Sequence, residues 1–206
     1  MAEEVTSAMN TEDFSLNEYL MKQDIEDRKI HLDCDIDETA YRMVSYWILR
    51  YNQSDRDIPV EKRKPIYLYI ESDGGSVTDG WGILSAMAAS KTPIITVTTS
   101  KVYSMASYIF LAGTKRYMFP YASMCIHDGS TMVANSSSKV RDTLDFYANG
   151  EEKLHKFIIE HTNVSEDELE KKSRVEWYLW ADECKEKGIC DGIVGIDVPV
   201  DEVLPS

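Results

Sequence analysis

Residues 66–80 read IYLYIESDGGSVTDG, and the fold turns on this stretch. Ile66–Ile70 is a short apolar run bounded by turn residues, the pattern of a strand buried on both faces. Asp73-Gly74-Gly75 follows at once. Adjacent glycines admit positive φ and let another backbone approach closely. A helix is expected next, from about Thr78 to Ser90. The same pattern continues toward the C-terminus. Pro93 opens a strand over Ile94–Thr99, and a short turn (Ser100-Lys101-Val102-Tyr103) leads into a helix from about Ser104 to Ala112. Gly113 stands where a helix C-terminal glycine would. Residues 116–119 and 123–127 read as two strands joined at Pro120. Strand and helix alternating over 66–127 calls for parallel pairing with helical crossovers.

Upstream, Lys29–Asp33 reads as a strand. Ala40, Met43, Val44, Trp47, Ile48 and Tyr51 share one face of a helix. Residues 52–65 are a polar connection containing Pro59 and Pro65. Residues 1–20 are polar and aperiodic, and are expected to form a mobile segment ahead of a single domain over 21–206. Downstream, 129–138 (GSTMVANSSS) has no strong preference, and a long helix is expected over about 139–161. Ser165 and Glu168 have capping-box spacing. Val175–Leu179 reads as a strand, a helix ends at Gly188, and a last strand is expected over Ile193–Val198.

The net charge is −14, from 22 basic and 36 acidic residues. Such a surface repels phosphate backbones and anionic lipid, so neither nucleic acid nor membrane is an expected partner. No apolar run is long enough to span a bilayer, and no signal peptide is read at the N-terminus. The cysteines, Cys34, Cys125, Cys184 and Cys190, form no C-x-x-C pair and no metal-ligand spacing with histidine, as expected of thiols in a reducing cytoplasm. No metal or cofactor is expected.

Ser104 opens a helix directly after a buried strand and a turn. Unpaired N–H groups at a helix start favour negative charge, which suits a serine that generates an oxyanion on attacking a carbonyl. An ordinary helix N-cap is the plainer reading of that position. The N–H groups of Gly75 and Met105 are candidates for an oxyanion hole. His127 ends the strand SMCIH, where parallel α/β sheets line their binding crevices, and an imidazole there can take the serine proton. His31, His155 and His161 read as structural.

Four stretches resemble the proteolytic subunit of the Clp protease, in order: IYLYIESDGGSVTDG, YSMASYIFLAG, KRYMFPYASMCIHD and EWYLWADECKEKGICDGIV. The resemblance runs from about Asp24 to Ile196. It implies a crotonase-like, ClpP-like α/β spiral of ββα units with a protruding handle over about 129–172. It implies a serine endopeptidase with Ser104 as nucleophile, His127 as base, and Gly75 and Met105 at the oxyanion. It also implies stacked heptameric rings enclosing the serines, as a homo-oligomer or as mixed rings with another such subunit. An AAA+ ATP-dependent unfoldase feeds unfolded proteins and peptides into such a chamber, and Tyr67 and Tyr69 match its docking positions.

The chain also departs from the family pattern. Anchored on Gly188 and Asp191, the family's aspartate falls on Glu176, with Asp128 and Asp182 as alternatives. The arginine before that aspartate is Val175. The small pair before the serine is Val102-Tyr103, and the glycine two residues after it is Ala106. The proline of the oxyanion turn is Asp73, which places a negative charge near a site for an anion. The serine capping the penultimate helix is Trp180, and the glycine-rich strand after the histidine is replaced by 130–138. These mark a divergent member. An alternative is a catalytically weak or inactive subunit that structures an active ring.

Overall fold

In a computed structural model that describes residues 15–129, 136–172 and 175–204, the run Ile66–Ile70 forms strand β2, as its apolar pattern requires. It pairs in parallel with β1 (Lys29–Leu32) on one side and β3 (Ile94–Thr98) on the other. Two more strands, β5 (Lys115–Met118) and β8 (Gly192–Ile193), complete a parallel sheet of order β1-β2-β3-β5-β8. Helix α2 (Glu38–Ser54) links β1 to β2, and α3 (Val77–Ala89) links β2 to β3. Ile66, Leu68 and Ile70 point to the helical side and are fully buried with Val44, Ile48 and Ile83. Tyr67 and Tyr69 point to the opposite side, where Tyr69 packs against a smaller apolar cluster of Val97, Tyr117, Val194 and Val203.

A second sheet is smaller. It is built from β4 (Lys101–Tyr103), β6 (Ser123–Ile126) and β7 (Trp177–Trp180). Strands β4 and β6 run parallel, and β6 and β7 antiparallel. The seven-residue helix α4 (Met105–Leu111) follows β4 and is buried throughout. This mixed α/β arrangement, parallel strands joined by helical crossovers with a long helix beyond them, is consistent with the ClpP-like fold that the four motifs imply. The long helix is α5 (Ser137–His161), followed by α6 (Glu166–Lys172), whose Glu168 N–H donates to Ser165 Oγ. Among the described residues no helix is long and apolar enough to cross a membrane.

Three local readings change, and one helix start finds a different cap. The turn expected at 100–103 is strand β4, because Lys101–Tyr103 finds a partner in β6. The strand expected over Ile193–Val198 ends at Ile193. Gly195 (φ +80) turns the chain back, leaving one bridge between Val194 and Val198. The segment expected to be mobile up to residue 20 becomes helical at Leu16, where Ser15 and Glu18 form a capping box that starts α1 (Leu16–Glu26); residues 1–14 lie outside the described residues. At the start of α7 (Ala181–Glu186), Trp180 cannot cap as a serine would, and Glu183 accepts the Trp180 N–H instead, at 2.9 Å.

Candidate active site

Strand register brings the site together. Tyr103 is paired with Cys125, and the Ser104 N–H donates to Cys125 O at 2.9 Å. Ser104 therefore leaves β4 beside the last residues of β6, where His127 follows. On the other side Ile126 is paired with Trp177, so His127 and Glu176 are the next opposed pair of an antiparallel ladder. Glu176 Oε1 lies 3.7 Å from His127 Nδ1. Serine, histidine and glutamate thus stand on adjacent strands at one end of the small sheet. Asp182 sits beyond the far end of this ladder, at the start of α7. Asp128 follows His127 in the chain and is exposed.

Ser104 stands at the N-cap position of α4, yet its side chain makes no capping bond. Its backbone is at φ +52, ψ −127, a region that L-residues rarely adopt. A helix cap needs no such conformation. Strain of this kind is held where the surroundings over-determine it, and here it lifts the hydroxyl out of the strand-to-helix path. Among the described residues no hydrogen bond joins the Ser104 hydroxyl to His127.

Gly74 and Gly75 close over the serine. Gly74 has φ +101, and a Cβ there would lie 2.6 Å from Ser104 Cβ, 2.7 Å from Tyr103 O and 3.0 Å from Met105 N. A side chain is therefore excluded by conformation and by contact alike. Gly75 has φ +144 and abuts the backbone of Ile36. Ile36 N–H donates to Gly74 O, and Ser76 N–H donates to Ile36 O. Those bonds bypass the Gly75 N–H. Neither it nor the Met105 N–H has an acceptor among the described residues. Two backbone donors on facing turns, next to a strained serine, can stabilise a developing oxyanion.

These features coincide with a Clp protease family model that matches residues 15–197. The chain belongs to the Clp protease family. That family is one of peptidases, so the site is read as a hydrolase site.

Several departures from the Clp protease pattern acquire a physical account. The charge of Asp73 does not face the oxyanion turn alone, because Lys101 Nζ pairs with it at 2.5 Å and offsets it locally. Tyr103 is held against the small sheet: its hydroxyl meets Ser123 Oγ at 2.8 Å and its ring packs edge-on to Tyr178 at 5.6 Å. The segment that replaces the family's glycine-rich strand lies, over 130–135, outside the described residues. Of the two positions matched to unfoldase docking, Tyr67 is buried, and Tyr69 is tied to the turn Val200–Val203, its hydroxyl donating to Val203 O.

Two residues of the site escaped sequence reading. Glu71 bridges the end of β2 to the β3–β4 corner. Its carboxylate accepts from the N–H groups of Thr99, Ser100 and Lys101 and from the Thr99 and Ser100 hydroxyls, at 2.5–3.1 Å. Partial burial alone would push its pKa up, but the hydrogen bonds from Ser100, Thr99 and Lys101 outweigh that and hold it below the usual glutamate value. Cys125 is the second. Its thiol donates to Glu176 Oε2 at 3.4 Å. A polar residue at the close of a buried strand was a faint sign for Glu71; nothing distinguished Cys125 from a core thiol.

Proposed function

We propose that this chain is a serine endopeptidase subunit that cleaves unfolded proteins and peptides inside a ring chamber. Ser104 Oγ attacks the peptide carbonyl while His127 takes the hydroxyl proton. The Gly75 and Met105 N–H groups hold the oxyanion of the tetrahedral intermediate. As that intermediate collapses, His127 gives the proton to the leaving amine, and water repeats the sequence to release the acyl group. Glu176 orients the imidazole and stabilises it when protonated. One observation carries the reading: a strained, uncapped Ser104 beside the strand on which His127 faces Glu176 at 3.7 Å.

Family membership supports the remainder. The subunit works in stacked heptameric rings, homomeric or mixed, with an AAA+ unfoldase and in the cytoplasm. Docking at Tyr67 and Tyr69 then involves the turn Val200–Val203, to which Tyr69 is bonded. A second reading, a weak or inactive subunit of a mixed ring, is favoured by the absent Ser104–His127 hydrogen bond.

A fluorophosphonate probe read by intact mass separates the two. The peptidase reading expects one adduct on the wild-type chain and none on Ser104→Ala, with assembly unchanged. An assembled double ring that takes no adduct supports the structural subunit instead.

A further inference from the structure

The glutamate at position 176 raises a geometric question. Its side chain has one more rotatable bond than aspartate and is 61 % exposed, so nothing in its own packing fixes which way the carboxylate turns. Orientation of the imidazole needs one oxygen held toward Nδ1. The other oxygen is held by Cys125. Cys125 and His127 lie on the same face of β6, two residues apart, and across the ladder they oppose Tyr178 and Glu176. The carboxylate spans this square: Oε2 accepts from Cys125 Sγ at 3.4 Å while Oε1 lies 3.7 Å from His127 Nδ1.

We propose that Cys125 is a positioning residue for this site, its thiol donating to one oxygen of Glu176 and so turning the other toward His127. The inference rests on the peptidase reading for its consequence in catalysis, and on geometry for the arrangement itself. A thiol donates only while protonated. Burial, and after it the neighbouring Glu176 carboxylate, push the Cys125 thiol up to about 11, so it keeps its proton wherever an imidazole base operates. With 2 % of its surface exposed, it is closed to solvent oxidants and free to serve as a fixed donor. A thiol is a weak donor, yet the acceptor is ionised, which strengthens the bond. His127 is faced by Glu176 from β7 and followed by Asp128 in the chain. Loss of the Cys125 bond lets the Glu176 carboxylate swing into solvent and away from the ring.

The test uses the full chain as wild type, Cys125→Ala, Cys125→Ser, Glu176→Ala and the Cys125→Ala/Glu176→Ala double variant. Two quantities are read: the His127 ring resonances by NMR at one pH, and the rate of fluorophosphonate labelling of Ser104 against pH. Cys125→Ala is expected to move the His127 ring resonances toward their Glu176→Ala positions and to slow labelling about tenfold, the size of one lost hydrogen bond to a charged group. Cys125→Ser supplies a hydroxyl donor and is expected to restore most of both. The double variant should be no worse than Glu176→Ala alone, because the two residues act through one contact. Wild-type His127 resonances in Cys125→Ala, a serine variant as impaired as the alanine one, or additive losses in the double variant would each overturn the proposal. If the His127 shift appears but Ser104 is never labelled, the positioning stands and the peptidase reading fails.

Discussion

Replacing Glu71 by glutamine tests whether the β3–β4 corner holds Ser104 in place. The carboxylate gathers six donors, the N–H groups of Thr99, Ser100 and Lys101 and the hydroxyls of Thr98, Thr99 and Ser100, that of Thr98 at 3.5 Å. A glutamine keeps one oxygen and turns the other into an NH₂ group facing N–H donors, so at least one strong bond is lost whichever way the amide sits. The remaining bonds lose their charge assistance. A hydrogen bond to a charged group contributes about 1.5–3 kcal/mol, and the corner is partly open to water, so a loss of about 2–3 kcal/mol is expected. That is a large share of a typical domain's stability. Urea unfolding measures it, with fluorophosphonate labelling read on the same samples. Labelling should slow because β4, which delivers Ser104, begins at Lys101. The pH dependence has a definite sign. The folded-state pKa of Glu71 lies below that of an ordinary glutamate. Its contribution is therefore fully present above about pH 4.5 and is lost as pH falls through the lower folded value. The gap between wild type and Glu71→Gln should close on acidification. A loss under about 0.5 kcal/mol, within the range of ordinary surface substitutions, together with a gap that stays constant with pH, would refute the reasoning.

Gly74→Ala places a methyl 2.6 Å from Ser104 Cβ at φ +101, so the oxyanion turn or the serine must move. Labelling of Ser104 should be lost even where circular dichroism shows a folded chain; labelling at the wild-type rate would exclude the close approach. Asp55 is 2 % exposed and takes a bidentate pair from Arg28, at 2.9 and 2.6 Å, with Thr92 Oγ1 at 2.8 Å. Asp55→Ala strands that guanidinium in the interior and should cost about 3–5 kcal/mol in urea unfolding, against little change if the pair is solvated.

The elements legible from the sequence are those whose burial pattern is local. The run Ile66–Ile70 is apolar over its whole length and forms the strand with the expected bounds. Helix α2 buries Ala40, Val44, Ile48 and Tyr51, four of the six residues that share its apolar face. Gly74 and Gly75 were readable as a tight turn because only glycine takes their positive φ cheaply. The order of four motifs identified the family without any contact being known, and the family model matches residues 15–197. Ser104 itself had a plausible cap reading, and the missing capping bond and the φ of +52 are properties of the folded turn.

What only the tertiary structure decided is pairing between distant segments. Lys101–Tyr103 is too short to carry a period, and it became a strand because β6 lies alongside. The opposition of His127 and Glu176 follows from the β6–β7 register, and a slip of one residue would turn Glu176 to the other face of the sheet. Glu71 and Cys125 gained their roles from partners on other elements, invisible to local pattern. The sequence alone determined which segments fold and which family they build, because hydrophobic period is a property of neighbours in the chain. Tertiary structure decided which side chains meet, because strand register is set by the whole core.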